Sequence, residues 1–220
     1  SARARGANIL GLMLGHGESA DDFHRTRSKP DATPIVASVQ RALADAGLQP
    51  EDIDYINAHG TSTPENDRME YTGLSKVFGD AVTTTPISSN KSMIGHTLTA
   101  AGAIEAVFST LTLARGVLPP TINYDTPDPA IPLDTVPNVA RSAEPATALS
   151  NSFGFGGQNL GHLVDRQMQA MAALAEGVDH LVPGHGVKPG PDRHRCIPTA
   201  AFQVDGQQNL LQDVLVQVGG

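Results

Sequence analysis

Residues 57–67 read NAHGTSTPEND. A titratable ring, His59, sits there among Thr61, Ser62 and Thr63, directly behind an apolar run at residues 53–58. That run predicts a short strand, so the ring stands in the loop that leaves the strand's C-terminal end. The same arrangement recurs downstream. Residues 85–89 predict a second short strand, and the loop behind it, SSNKSMIGH at 88–96, carries Lys91 and ends on His96. Open α/β sheets place their sites at that end of the strands. His59 and His96 are therefore expected at one end of one sheet. A third loop, SFGFGGQN at 152–159, brings glycines that permit positive φ and let a Phe ring swing.

The chain around these loops alternates strand and helix patterns. Residues 7–15 (ANILGLMLG) predict a buried strand that runs into a long polar loop, GHGESADDFHRTRSKPDATP. From Pro34, apolar residues recur at helical spacing through Ile35, Val39 and Leu43, with Pro34 in the first turn and Gly47 as C-cap. A second helix is expected over 67–78, with Asn66 or Asp67 as its N-cap. Glu70, three residues beyond Asp67, would complete a capping box. A third helix, rich in small residues, is expected over 98–114 and ends at Gly116. A proline-rich connection, PPTINYDTPDPAIPLDTVP, follows. Residues 146–152 and 160–164 then predict a closing strand pair around the glycine turn. The whole reads as a layered α/β unit over residues 1–166. From about Gln167 the texture changes: QMQAMAALAEGVDHL predicts an amphipathic helix, a stretch rich in proline, glycine and charge without period follows, and NLLQDVLVQVGG fits a strand or a helix, so 167–220 is expected to be a separate, atypical tail.

The bulk composition excludes several classes. A chain of 220 residues with 40% hydrophobic residues can bury one good core. A net charge of −8 argues against nucleic-acid binding, which needs a basic stripe. No apolar run approaches the roughly 18 residues that a bilayer span requires. The basic-then-apolar start, SARARGANIL, is interrupted too soon for a signal peptide. A single cysteine rules out an internal disulfide and fits a reducing compartment, so a cytoplasmic location is expected.

INAHGTSTPENDRMEY, SSNKSMIGHTLTAAGAIEAV, PPTINYDTPDP and NSFGFGGQN, in this order and spacing, resemble the C-terminal half of an elongating β-ketoacyl-acyl-carrier-protein synthase. The AHGTST spelling is closer to the fatty-acid type than to the modular polyketide type. The resemblance spans roughly residues 4–166. It implies a thiolase-like fold, here its C-terminal half: a mixed five-stranded sheet with helices packed on it. It also implies a decarboxylative Claisen condensation, in which malonyl carrier protein loses carbon dioxide and the resulting carbanion attacks an acyl thioester. Such an enzyme serves fatty acid or polyketide biosynthesis.

The resemblance assigns roles by position. His59 and His96 match the family's catalytic histidines, donors to the thioester oxygen where enolate charge builds. Lys91 matches its active-site lysine, and Glu105 its carboxylate partner; the two are read as an orienting, charge-balancing pair. Thr61 and Thr63 match hydroxyls that bond the phosphopantetheine arm, Phe155 the gating ring beside the acyl pocket, and Phe153 a support of that loop. Read without the resemblance, Thr61 and Thr63 would satisfy loop backbone groups. Phe153 and Phe155 would be core anchors, and Glu105 would pair with any nearby cation. Gln158 departs from the Thr usual after GFGG, which puts the local hydrogen bonding there in question.

The family's nucleophile is a cysteine far upstream of the first histidine. The one cysteine here, Cys196, lies downstream and matches no family motif. The chain is therefore expected to need an N-terminal half to condense, and to associate tightly with it. Acyl carrier protein is the other expected partner, and a dimer is expected for the complete enzyme. No metal and no cofactor bound by the chain itself are expected. DHLVPGHGV, at 179–187, resembles the late motif of metallo-β-lactamase-like hydrolases, but the HxHxDH cluster such a site needs is absent. His180, His185 and His194 are read as solvated loop residues. The competing readings are a non-condensing relative that sets chain length or only decarboxylates, and an inactive truncated fragment.

Overall fold

The computed structural model describes residues 2–24, 27–154 and 157–166. The tail at 167–220, with its histidines and Cys196, lies outside the described residues, as does Phe155. Strands β1 (Leu12–Ala20), β2 (Tyr55–Asn57), β3 (Ile87–Ser88), β6 (Thr147–Phe153) and β7 (Gln158–Asp165) form one mixed sheet in the order β1-β7-β6-β2-β3. β2 runs parallel to both β6 and β3, whereas β7 is antiparallel to β6 and β1. A separate two-stranded ribbon joins β4 (Val117–Leu118) to β5 (Arg141–Ser142). The expected α/β layering and the closing strand pair are both present.

The two faces of the sheet bury different cores, and the side-chain alternation along β6 divides them. Leu149 points to one side, with Ile56, Leu163, Val39, Leu74 and Phe78. Its neighbour Ala148 points to the other, with Tyr55, Leu113, Leu118, Val136 and Val164. Helices α1 (Thr33–Ala46) and α2 (Pro64–Phe78) supply the first layer, and α4 (Ala101–Arg115) the second. Helix α1 carries its apolar face on Ile35, Val39 and Leu43, as the spacing predicts. It ends at Gly47, in left-handed conformation at φ 71°, where Leu48 N–H bonds the Leu43 carbonyl. Among the described residues no helix is long and apolar enough to cross a membrane.

The structure corrects three boundaries. The first strand lies at Leu12–Ala20, so it runs well into the stretch expected to be polar loop. Its buried positions there are Gly15, Gly17 and Ser19, alternating with exposed His16, Glu18 and Ala20. Small inward residues carry no apolar signal, but α1 requires them. A Cβ at Gly17 would stand 2.0 Å from the Ser38 carbonyl oxygen, and one at Gly15 2.6 Å from the Ala46 nitrogen. Helix α2 begins at Pro64, and Thr63 caps it by accepting the Asn66 N–H at 3.4 Å. The predicted capping box is thus not formed. Asp67 accepts the Ser62 N–H instead, and Glu70 is buried in other work. The loop at 90–97 contains one turn of helix, α3 (Lys91–Ile94), and a 3₁₀ turn at Leu98–Ala100 precedes α4.

Candidate active site

His59 follows β2, and its loop is held from α2. Both oxygens of the Glu70 carboxylate take part: Oε1 accepts the His59 N–H and Oε2 the Gly60 N–H, each at 2.9 Å. Asn151 of β6 donates its amide to Oε1 at 3.1 Å. Burial pushes the Glu70 carboxyl up, while these donors pull it back. Glu70 shares the buried face of α2 with Gly73, Leu74 and Phe78. An acid in register with an apolar stripe was the available sign of this role, and the capping-box reading displaced it.

His96 follows α3 and Gly95. Its ring meets that of His59 at 5.5 Å between centroids, with planes at 84°. The Phe153 ring lies 5.2 Å from His59 on another side. Each imidazole also receives a backbone N–H at Nδ1, from Phe153 onto His59 at 3.3 Å and from Leu98 onto His96 at 3.1 Å. Leu98 takes φ 54°, a left-handed conformation that costs a non-glycine residue energy. An Nδ1 that accepts is unprotonated, so in the neutral ring the proton sits on Nε2. Both rings then offer Nε2–H as donor. Burial pushes His59 down to about 3, helped by Lys91 and then by His96. Burial and Lys91 also lower His96. His59 is buried and His96 exposed, so the pair lines the surface end of the sheet.

Beneath them lies a buried ion pair. Lys91 Nζ contacts Glu105 Oε1, with both side chains almost fully enclosed. Glu105 projects from α4, and Ser152 of β6 donates to its other oxygen at 3.3 Å. Burial pushes the Glu105 carboxyl up, opposed by Lys91. The ammonium beside both histidines disfavours a second positive charge on either ring. Thr61 and Thr63 lie on the His59 loop with hydroxyls 3.0 Å apart, and the Thr63 hydroxyl also caps α2. Thr63 thus does the local backbone work that its residue type suggests. The structure brings His59, His96, Lys91, Glu105 and Phe153 together, with Thr61 and Thr63 on the His59 loop. Among the described residues no group of His, Cys, Asp and Glu could hold a metal ion.

Chemically, neutral N–H donors side by side over a lysine–carboxylate pair make a place for an oxygen that gains negative charge. The family described as "Beta-ketoacyl synthase, C-terminal domain" matches residues 10–125. The chain belongs to the β-ketoacyl synthase family.

Its relatives agree. Over 158 residues this β-ketoacyl synthase chain is 48% identical to 3-oxoacyl-[acyl-carrier-protein] synthase 2 of Coxiella burnetii, covering 72% of the chain and 38% of that protein. It is 46% identical over 159 residues to the Staphylococcus aureus enzyme of the same name, covering 72% of the chain and 40% of the relative. Among solved structures, a β-ketoacyl synthase from Burkholderia phymatum superposes with TM-score 0.70 at 40% identity, over 75% of this chain and 40% of that one. A type II polyketide ketosynthase, bound to a hexaketide and in complex with its acyl-carrier protein, gives 0.73 at 38% identity over the same shares. The chain thus spans 38–40% of the length of these relatives. The likeness confirms the thiolase-like α/β fold and its C-terminal half.

Proposed function

We propose that this chain supplies the decarboxylating half of a 3-oxoacyl-[acyl-carrier-protein] synthase. The observation that carries the reading is the convergence of His59 and His96, each with Nδ1 engaged by backbone and Nε2–H free to donate. The malonyl thioester oxygen would sit against both donors. As the bond to the carboxylate carbon breaks, its electron pair moves into the enolate, carbon dioxide leaves, and the oxygen charge is met by two oriented dipoles. The enolate carbon then attacks an acyl thioester, and the sulfur leaves as thiolate. That sulfur belongs to the family's nucleophilic cysteine, in the part of the relatives this chain does not span.

Other residues take the roles that the family resemblance implies. Burial and the Lys91 ammonium, itself paired with Glu105, hold the rings neutral, so that they stay donors over the physiological range. Thr61 and Thr63 would bind the phosphopantetheine arm of the carrier, and by its match to the family motif Phe155 would be the gating ring, with Phe153 supporting its loop. The partners are an acyl carrier protein and the N-terminal part of the synthase, with a dimer as the complete form. Helix α4 supports the second partner. Its outer side leaves Ile104, Val107 and Phe108 only half-buried, a face suited to the other half of the fold.

The test mixes this chain with the N-terminal part of the enzyme and malonyl carrier protein and measures carbon dioxide release. Release that vanishes in His96→Ala supports the reading. No release from a soluble, folded complex overturns it in favour of an inactive fragment.

A further inference from the structure

We propose that Ser89 is a positioning residue that sets the spacing of His59 and His96 by gripping the Gly60 carbonyl. The proposal deepens the decarboxylation reading and rests on it for its activity arm. The two histidine loops leave neighbouring strands, and Ala58 N–H to the Ser88 carbonyl, at 2.9 Å, continues the pairing of β2 with β3 into them. Past that point the buried Ser89 side chain reaches across, and its Oγ donates to the Gly60 carbonyl at 2.6 Å. Glu70 holds the His59 and Gly60 amides from the other side. The backbone that carries the first imidazole is thus clamped between α2 and the second loop. The fit is close: Gly60 takes φ 43°, and a Cβ there would lie 2.6 Å from the Ser89 Cβ.

Ser89 is itself held. Its N–H bonds Thr121 Oγ1 at 3.1 Å, and its carbonyl accepts Ser92 Oγ–H at 2.8 Å. Helix α3 starts two residues on as a single turn, closed by Gly95 N–H onto the Lys91 carbonyl at 2.9 Å, and His96 follows. A short, stiff arm therefore joins the Ser89 grip to the second imidazole. Two donors that must meet one oxygen depend on that arm, because misplacement by about 1 Å can cost about 10²-fold in rate.

The experiment uses the full chain with ¹⁵N-labelled histidine. In the wild type, NMR should show both rings protonated at Nε2 and a through-space contact between them. In Ser89→Ala the ring contact should be lost while the fold is kept. Ser89→Cys, which keeps the size with a weaker donor, should give a smaller change in the same direction. With the N-terminal part added, Ser89→Ala should lower kcat for carbon dioxide release about tenfold with KM for malonyl carrier protein unchanged. An unchanged ring contact in folded Ser89→Ala overturns the proposal. Loss of the fold in both variants also overturns it, since Ser89 would then be structural. If His96→Ala leaves carbon dioxide release intact, the decarboxylation reading fails instead, and the ring contact alone decides the role of Ser89.

Discussion

The imidazoles of His59 and His96 stand edge to face, 5.5 Å apart, on loops from adjacent parallel strands. Backbone amides hold each at Nδ1, and burial, helped by the nearby Lys91 ammonium, disfavours a charge on either ring. That relationship connects charge, tautomer and position, and several expectations follow from it.

Removing one of the two donors should be costly. In the complete enzyme, His59→Ala is expected to slow decarboxylation by roughly 10²–10³, the usual loss for one oxyanion donor. Single-turnover carbon dioxide release measures it, and an unchanged rate would take His59 out of the mechanism.

Acid should destabilise the fold through the same residue. The folded chain holds His59 down at about 3, and His162 is also lowered by burial. Unfolded histidine titrates at about 6.5, so the unfolded chain binds more protons between that value and about 3, and stability falls as pH falls through that window. The urea midpoint should drop between about pH 7 and pH 5. His59→Gln should show a smaller drop than wild type, and an equal drop would assign the effect to other groups.

The lysine–glutamate pair should behave as a unit. Lys91→Met alone leaves a buried carboxylate unpaired and should cost about 3–5 kcal/mol. Lys91→Met with Glu105→Gln should recover much of that stability by leaving no buried charge. Denaturation of the two single variants and the double measures the coupling, and additive losses would contradict it.

Glu70→Gln tests the clamp on the His59 loop. The glutamine amide would face a backbone N–H that a carboxylate oxygen now accepts, leaving a donor unsatisfied at about 1–3 kcal/mol. Thermal denaturation should show the loss, and hydrogen exchange should speed at the His59 and Gly60 amides. Protection that survives in the variant would show that the carboxylate is not what holds them.

Gly17→Ala should destabilise more than its place on an edge strand suggests, because Gly17 faces inward and is buried. The added Cβ would meet the Ser38 carbonyl at 2.0 Å, and α1 would have to shift, at about 1–3 kcal/mol. A melting temperature unchanged from wild type would mean that helix and strand are not in contact as described.

Much of this was readable before any coordinates. Apolar spacing located α1, and Gly47 and Gly116 marked helix ends, because these signals are local to a few residues. The motifs around His59, Lys91, His96 and Phe153 pointed to one end of one sheet, and those side chains do meet there. The first strand extends past its apolar run because Gly15 and Gly17 face inward for the sake of a helix that begins at Thr33, a partner no window on the strand contains. Glu70 stands in cap register in the sequence, yet its donors include Asn151, 81 residues away.

The order of residues by itself determined which chemistry the chain carries, since imidazoles, lysine, carboxylate and hydroxyls are set in place by their codons and their loops by nearby glycine and proline. Tertiary structure alone decided their state: which ring nitrogen bears the proton, which carboxylate is buried, and how far apart the rings stand. Those properties depend on groups within about 3 Å of one another, and only the folded sheet brings such distant stretches of chain that close.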